Sequence, residues 1–122
     1  MDHSAAFLAI VNAAKANIKE LTIAETLARM ESDPSVHIVD VREDREWALG
    51  HITGAVHLGK GIIERDVEKA IPDKDAEIIL YCGGGFRSAL SAENLQKMGY
   101  TNVYSMDGGW REWVAAGNPV DL

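Results

Sequence analysis

The stretch from residue 78 to residue 99 constrains the fold of this chain more than any other. An apolar run, Ile78-Ile79-Leu80-Tyr81, ends at Cys82, the only cysteine in the chain. A loop follows, Gly83-Gly84-Gly85-Phe86-Arg87-Ser88, and then a helix-compatible segment from Ala89 to Met98 that Gly99 closes. A strand without a polar side must be covered on both faces, as central strands of parallel sheets are. Glu77 to Tyr81 is therefore expected to lie in the middle of a sheet, with the helix returning across it.

The rest of the chain repeats the alternation. Glu20-Leu21 reads as a short strand, and Thr22 opens a helix to about Met30 through a capping box with Glu25. Val36 to Asp40 reads as a strand, Asp44 to Leu49 as a short helix and Ala55 to His57 as a strand. Ile62 to Ala70 is expected to be a helix stopped by Pro72, with Val103 to Ser105 and a helix from Trp110 to Ala116 finishing the chain. Strands separated by helices predict an α/β fold, a mostly parallel central sheet flanked by helices. With 122 residues, 47% of them hydrophobic, the chain can build one real core. Residues 1–18 form an N-terminal helical extension and 19–122 the main domain. Ser4 can cap the extension's helix, which carries Phe7, Leu8, Val11 and Ile18 along one side. That side is expected to pack on the domain or on a second subunit, giving a homodimer through this helix.

The loop after Cys82 carries the chemistry. Consecutive glycines let backbone N–H groups turn inward into a nest for an anion. The helix behind adds its positive end, and Arg87 a rigid charged fork. The anion is the Cys82 sulfur, a substrate, or both. A thiol of pKa about 8.5 needs a shift of about 1.5 units, or roughly 2 kcal/mol, to be half ionised at neutral pH. Ionisation alone raises reactivity only about tenfold, because a less basic thiolate is a weaker nucleophile. The larger gain comes from holding an anionic substrate in line with the sulfur. The plainer reading of Cys82, a packed strand-end residue, is outweighed by its flanking glycines and Arg87. Gly83, Gly84, Gly85, Phe86, Arg87 and Ser88 are the expected substrate-binding residues, with Phe86 at the pocket mouth.

Asp40 and Arg42 follow the apolar run Val36 to Val39, at the strand end where open parallel sheets place their ligand crevice. His51, in a turn-like stretch, reads as structural; His57 receives no role, and His3 and His37 are isolated. Trp47, Trp110 and Trp113 read as packing residues. No metal is expected, since no His, Cys, Asp or Glu residues show ligand spacing.

The formal net charge of −7 argues against nucleic acid and an anionic membrane surface as partners. An anionic substrate must therefore be drawn in by the local positive loop. One cysteine excludes a disulfide framework and suits a reducing compartment. Ala5 to Ala14 imitates a secretory core, but Met1-Asp2-His3 lacks the positive start, so a cytoplasmic location is expected.

Three blocks make the chain resemble a rhodanese (thiosulfate sulfurtransferase) domain over about residues 19 to 120. They are Asp40-Val41-Arg42-Glu43 with Glu46-Trp47 and Gly50 to Ala55; the loop from Tyr81 to Ser88; and Gly108-Gly109-Trp110 with Trp113, Gly117, Asn118 and Pro119. The resemblance implies a rhodanese-like fold over 19–122 and a sulfurtransferase without cofactor. Cys82 would take the outer sulfur of thiosulfate or of a small or protein persulfide donor, and pass it from a Cys82 persulfide to cyanide or a thiol. It also implies that Asp40 braces the catalytic loop by accepting hydrogen bonds, with Arg42 in the same network. Related phosphatases and arsenate reductases place five residues between cysteine and arginine, where this chain has four. Many relatives carry a basic residue where this chain has Gly83. A Cys-based phosphatase or arsenate reductase, or a non-catalytic module that binds a protein partner, are the alternatives.

Overall fold

The computed structural model describes residues 2–122. Seven strands and six helices follow one another in these residues. In chain order they are α1 (Ala5–Lys15), β1 (Lys19–Leu21), α2 (Ile23–Ser32), β2 (His37–Asp40), α3 (Asp44–Leu49), β3 (His51–Ile52) and β4 (Val56–His57). Then come α4 (Ile63–Ala70), β5 (Ile78–Tyr81), α5 (Phe86–Lys97), β6 (Val103–Met106), α6 (Gly109–Ala115) and β7 (Val120–Asp121). Five strands form one sheet in the order β1-β6-β5-β2-β4, and every pairing in it is parallel.

The central strand behaves as its sequence requires. All four β5 residues are buried, and they alternate between two cores. Ile78, Leu80 and Cys82 join Val39, Val67 and Leu95 on one face; Ile79 and Tyr81 join Ile38, Met106 and Trp113 on the other. The first core is covered by α4 and α5, the second by α2 and α6. Because every strand of the sheet runs the same way, Asp40 and Cys82 emerge at the same edge, with Asp40 beside Tyr81 in register.

Helix starts follow local chemistry. The Thr22–Glu25 capping box forms as its sequence predicts, and Ser4 Oγ accepts from Phe7 N at 3.1 Å to open α1. Helix α1 lies along α5 with Val11 and Ala14 fully buried, and the Asn17 side chain donates to Glu93 Oε2 at 3.1 Å. Val11 and Ala14 of the apolar side of α1 are thus covered within the chain, while Phe7 and Leu8 stay half-buried. One element was not expected: β3 and β7 pair antiparallel, Ile52 opposite Val120, and tie the C-terminal segment to the turn after α3.

Candidate active site

The Cys82 sulfur sits at the floor of a pocket beyond the end of β5. Gly85 N donates to Sγ at 3.1 Å, and Ser88 Oγ lies 3.6 Å from it. Burial pushes the Cys82 thiol up, but the Ser88 hydroxyl and the N–H groups of Ser88, Gly84 and Gly85 outweigh it and hold the thiol below its ordinary value. Of the inward-facing amides expected from the sequence, that of Gly85 makes a hydrogen bond to the sulfur. Its glycines serve different ends. Only Gly85, which precedes α5, takes a left-handed backbone, at φ +101°. Gly83 and Gly84 make room for cations: a Cβ on Gly84 would lie 2.5 Å from Arg111 Nη2, and one on Gly83 3.2 Å from Arg87 Nη2.

Arg87 does not stand free. Its fork donates to both oxygens of Glu46, at 2.7 and 3.1 Å, so α3 fixes the direction of a cation carried by α5. The Arg87 fork holds the Glu46 carboxyl down at about 2. The Cys82 sulfur also favours the charged form of Arg87. Glu46 belongs to a motif block of the sequence but was not expected at the site; the short helix Asp44–Leu49 is what aims it.

Arg111, on α6, was likewise not expected. Its Nε donates to Gly83 O at 3.2 Å, which lays the guanidinium over Gly84 beside the pocket. In the sequence, only the missing basic side chain at position 83 points to a cation supplied from elsewhere in the fold. The opposite wall is aromatic. His3, read as isolated, lies edge-on to Phe86 with centroids 4.8 Å apart, and Phe7 lies 6.3 Å from Phe86. Phe86 is at the pocket mouth as expected, but the N-terminal extension shares that position with it.

Ser88 needs a correction. It is fully buried beneath the sulfur, bonded to Ser105 Oγ at 2.8 Å, and so can touch Cys82 but not a substrate in the pocket. Asp40 and Arg42 need another. The Asp40 carboxylate accepts from Arg42, through its backbone N at 2.8 Å and its guanidinium at 2.8 to 3.1 Å, and makes no hydrogen bond to the loop among the described residues. Arg42 Nη2 donates onward to Gly50 O at 2.7 Å, and its guanidinium lies over the Trp110 ring at 4.6 Å. Trp110 N in turn donates to Cys82 O at 2.7 Å. The pair thus reaches the loop only indirectly, through Trp110. Neither residue lines the pocket.

His51 and His57 both stack on Trp47, at 3.5 and 5.1 Å between centroids, away from the pocket. Trp113 is fully buried, with Nε1 donating to Pro119 O at 3.0 Å. Among the described residues no group of three or more His, Cys, Asp or Glu side chains could hold a metal ion, and no helix is long and apolar enough to cross a membrane.

Residues 22–116 match the family model of the rhodanese-like domain. The thiosulfate sulfurtransferase GlpE of Shewanella oneidensis is 33% identical over 100 residues, covering 82% of this chain and 96% of that protein. Over 98 residues the chain is 32% identical to the Bacillus subtilis protein named "Putative sulfur carrier protein YrkF", but spans only about half of it, 52%. A solved structure from Rhodopseudomonas palustris, of a protein of unknown function described as a possible tyrosine phosphatase, is 31% identical with a TM-score of 0.84 and covers 99% of each chain.

Proposed function

This chain belongs to the rhodanese-like domain family, and on that premise we propose that it is a sulfurtransferase that carries a sulfane sulfur as a persulfide on Cys82. One observation carries the reading: a thiol held below its ordinary value at a pocket floor, inside a loop of four residues closed by an arginine. The Cys82 thiolate attacks the outer sulfur of thiosulfate or of a persulfide. The donor's sulfur–sulfur bond breaks, and sulfite or a thiolate leaves with the electron pair. Sulfite leaves well as an anion, so no general acid is needed. The outer sulfur, about 2.05 Å beyond Sγ, projects from the floor toward the pocket. The N–H of Gly85 and the charge of Arg87 stabilise the anion on Cys82 between half-reactions. An acceptor such as cyanide or a thiol then removes the outer sulfur and restores the thiolate.

With no second cysteine, a disulfide within the chain cannot resolve the persulfide, so turnover depends on an external acceptor. That dependence suits a reducing compartment, and we place the protein in the cytoplasm. Intact-mass measurement after incubation with thiosulfate tests the reading. The expected result is a gain of one sulfur atom, lost on adding a thiol and absent in Cys82→Ser.

A second reading, a Cys-based phosphatase or arsenate reductase, draws on the description of the Rhodopseudomonas palustris neighbour. The shorter loop weighs against it, because a tetrahedral oxyanion needs the wider cradle. Hydrolysis of an aryl phosphate with no sulfur gained from thiosulfate would decide for that reading. A blank in both assays would leave a protein-binding module.

A further inference from the structure

The sulfur cradle fills only the floor of its pocket. The cavity is about 520 Å³, within the range of sites that enclose organic molecules, whereas an inorganic sulfane anion would cover little more than the loop itself. Glu43, Arg45 and Trp110 also line the remaining space, and two of its sides bear on what it can hold. On one side stands a cation without a counter-ion. The Arg87 fork is taken by Glu46, but Arg111 forms no ion pair among the described residues. Its Nε bond to Gly83 O directs an exposed side chain over the loop and leaves the outer nitrogens of the fork without a carboxylate. On the other side, Phe86, Phe7 and His3 form a ring cluster that offers an apolar surface. Two of these three rings come from before residue 22, outside the stretch that matches the family.

The geometry points to a second subsite beside the sulfur cradle, in which Arg111 receives the carboxylate of a small organic thiol or persulfide while Phe86 and Phe7 cover its carbon body. This rests on the reading of Cys82 as a sulfur carrier. A guanidinium with open donors favours a planar carboxylate, which it can meet with two parallel bonds. The overall charge of −7 makes such a local cation the means by which an anionic organic substrate is accepted at all. In the first half-reaction Cys82–S⁻ and thiosulfate give Cys82–S–S⁻ and sulfite. In the second, a thiolate R–S⁻ attacks the outer sulfur, giving R–S–S⁻ and Cys82–S⁻. Each half-reaction forms one sulfur–sulfur bond and breaks one, so no outside oxidant or reductant is needed.

The test is a matched pair of acceptors, N-acetylcysteine and its amide, each with thiosulfate as donor and sulfite release as the readout. Wild-type protein should use the acid at least about tenfold better in kcat/KM, the change one charge-assisted contact of about 1.4 kcal/mol would produce. Arg111→Met, which keeps the stem and removes the charge, should bring the acid-to-amide ratio close to one; Arg111→Lys should retain most of it. Phe7→Ala should raise KM for both thiols and leave their ratio in place. Equal use of acid and amide by the wild type, a measurement that needs no variant, overturns the subsite. So does an Arg111→Met protein that loses acid and amide activity equally, because Arg111 would then serve only the loop or the inorganic donor. An unchanged KM in Phe7→Ala removes the aromatic wall from it. If the wild type gains no sulfur from thiosulfate, the carrier reading fails and the subsite with it; if sulfur is gained and the acid has no advantage, the subsite alone fails.

Discussion

Strands β2 and β5 lie side by side, run the same way and deliver polar groups to the same edge of the sheet, yet they end in opposite kinds of chemistry. At the end of β2, Asp40 and Arg42 satisfy each other. They are 0% and 3% exposed; Arg42 fills the Asp40 carboxylate, and a further Nη2 donor of Arg42 goes to Gly50 O. At the end of β5, the Gly85 amide and the Ser88 hydroxyl meet one sulfur, and the far side of that sulfur meets a pocket. A buried full charge is tolerated only when its partners are complete, and completeness leaves nothing for a ligand. A thiol costs less to bury, so its surroundings can stay one partner short. The difference between scaffold and reactive centre lies in which donors remain open.

The largest effect should come from Cys82→Ser. Thiocyanate formation from thiosulfate and cyanide should be abolished while circular dichroism stays that of the wild type, since the serine fits the same seat. The matching blow to β2, Asp40→Ala, should act on stability. It strands the Arg42 guanidinium in the core, and urea denaturation should show a loss of about 3–5 kcal/mol. Retention of full stability would break the contrast between the two strand ends. Arg87→Ala removes the charge that faces the anion and should lower kcat/KM for thiosulfate by about 10²- to 10³-fold.

Glu46→Gln sharpens the comparison through pH. The folded Glu46 carboxyl lies at about 2, below its ordinary 4.5. A depressed acid lends stability above its unfolded value and loses it as pH falls through the folded one. The stability gap between wild type and Glu46→Gln should therefore be full above pH 4.5 and close toward pH 2, as acid titrations followed by fluorescence would report. The smallest effect belongs to Ser88→Ala. It removes a donor to the sulfur, so the rising limb of kcat/KM against pH should move upward, with only a few-fold loss at neutral pH.

Most of the fold was legible because its signals are local. The run of β5, the capping box at Thr22 and the helix Asp44–Leu49 all depend on residues a turn or two apart. The β3–β7 ribbon escaped because each strand has two residues and Ile52 meets Val120 only after the whole domain has closed. The candidate site divides the same way. Cys82, its amides and Arg87 are contiguous and could be read together. Glu46 and Arg111 reach the pocket from α3 and α6, and His3 from the segment before α1, so their places are set by tertiary approach rather than spacing. Asp40 was placed at the correct edge, but only the geometry reveals that Arg42 fills its carboxylate.

The seat of α6 against the loop has a consequence for how such proteins change. Gly109 adopts φ +57°, and a Cβ there would lie 2.5 Å from Cys82 O; the next two residues donate backbone N–H groups to Cys82 O and Gly83 O. The first turn of α6 is thus keyed to the opening carbonyls of the loop. An insertion that widens the cradle must leave those two carbonyls where they meet the first turn of α6, or carry that turn, with Trp110 and Arg111, along with it.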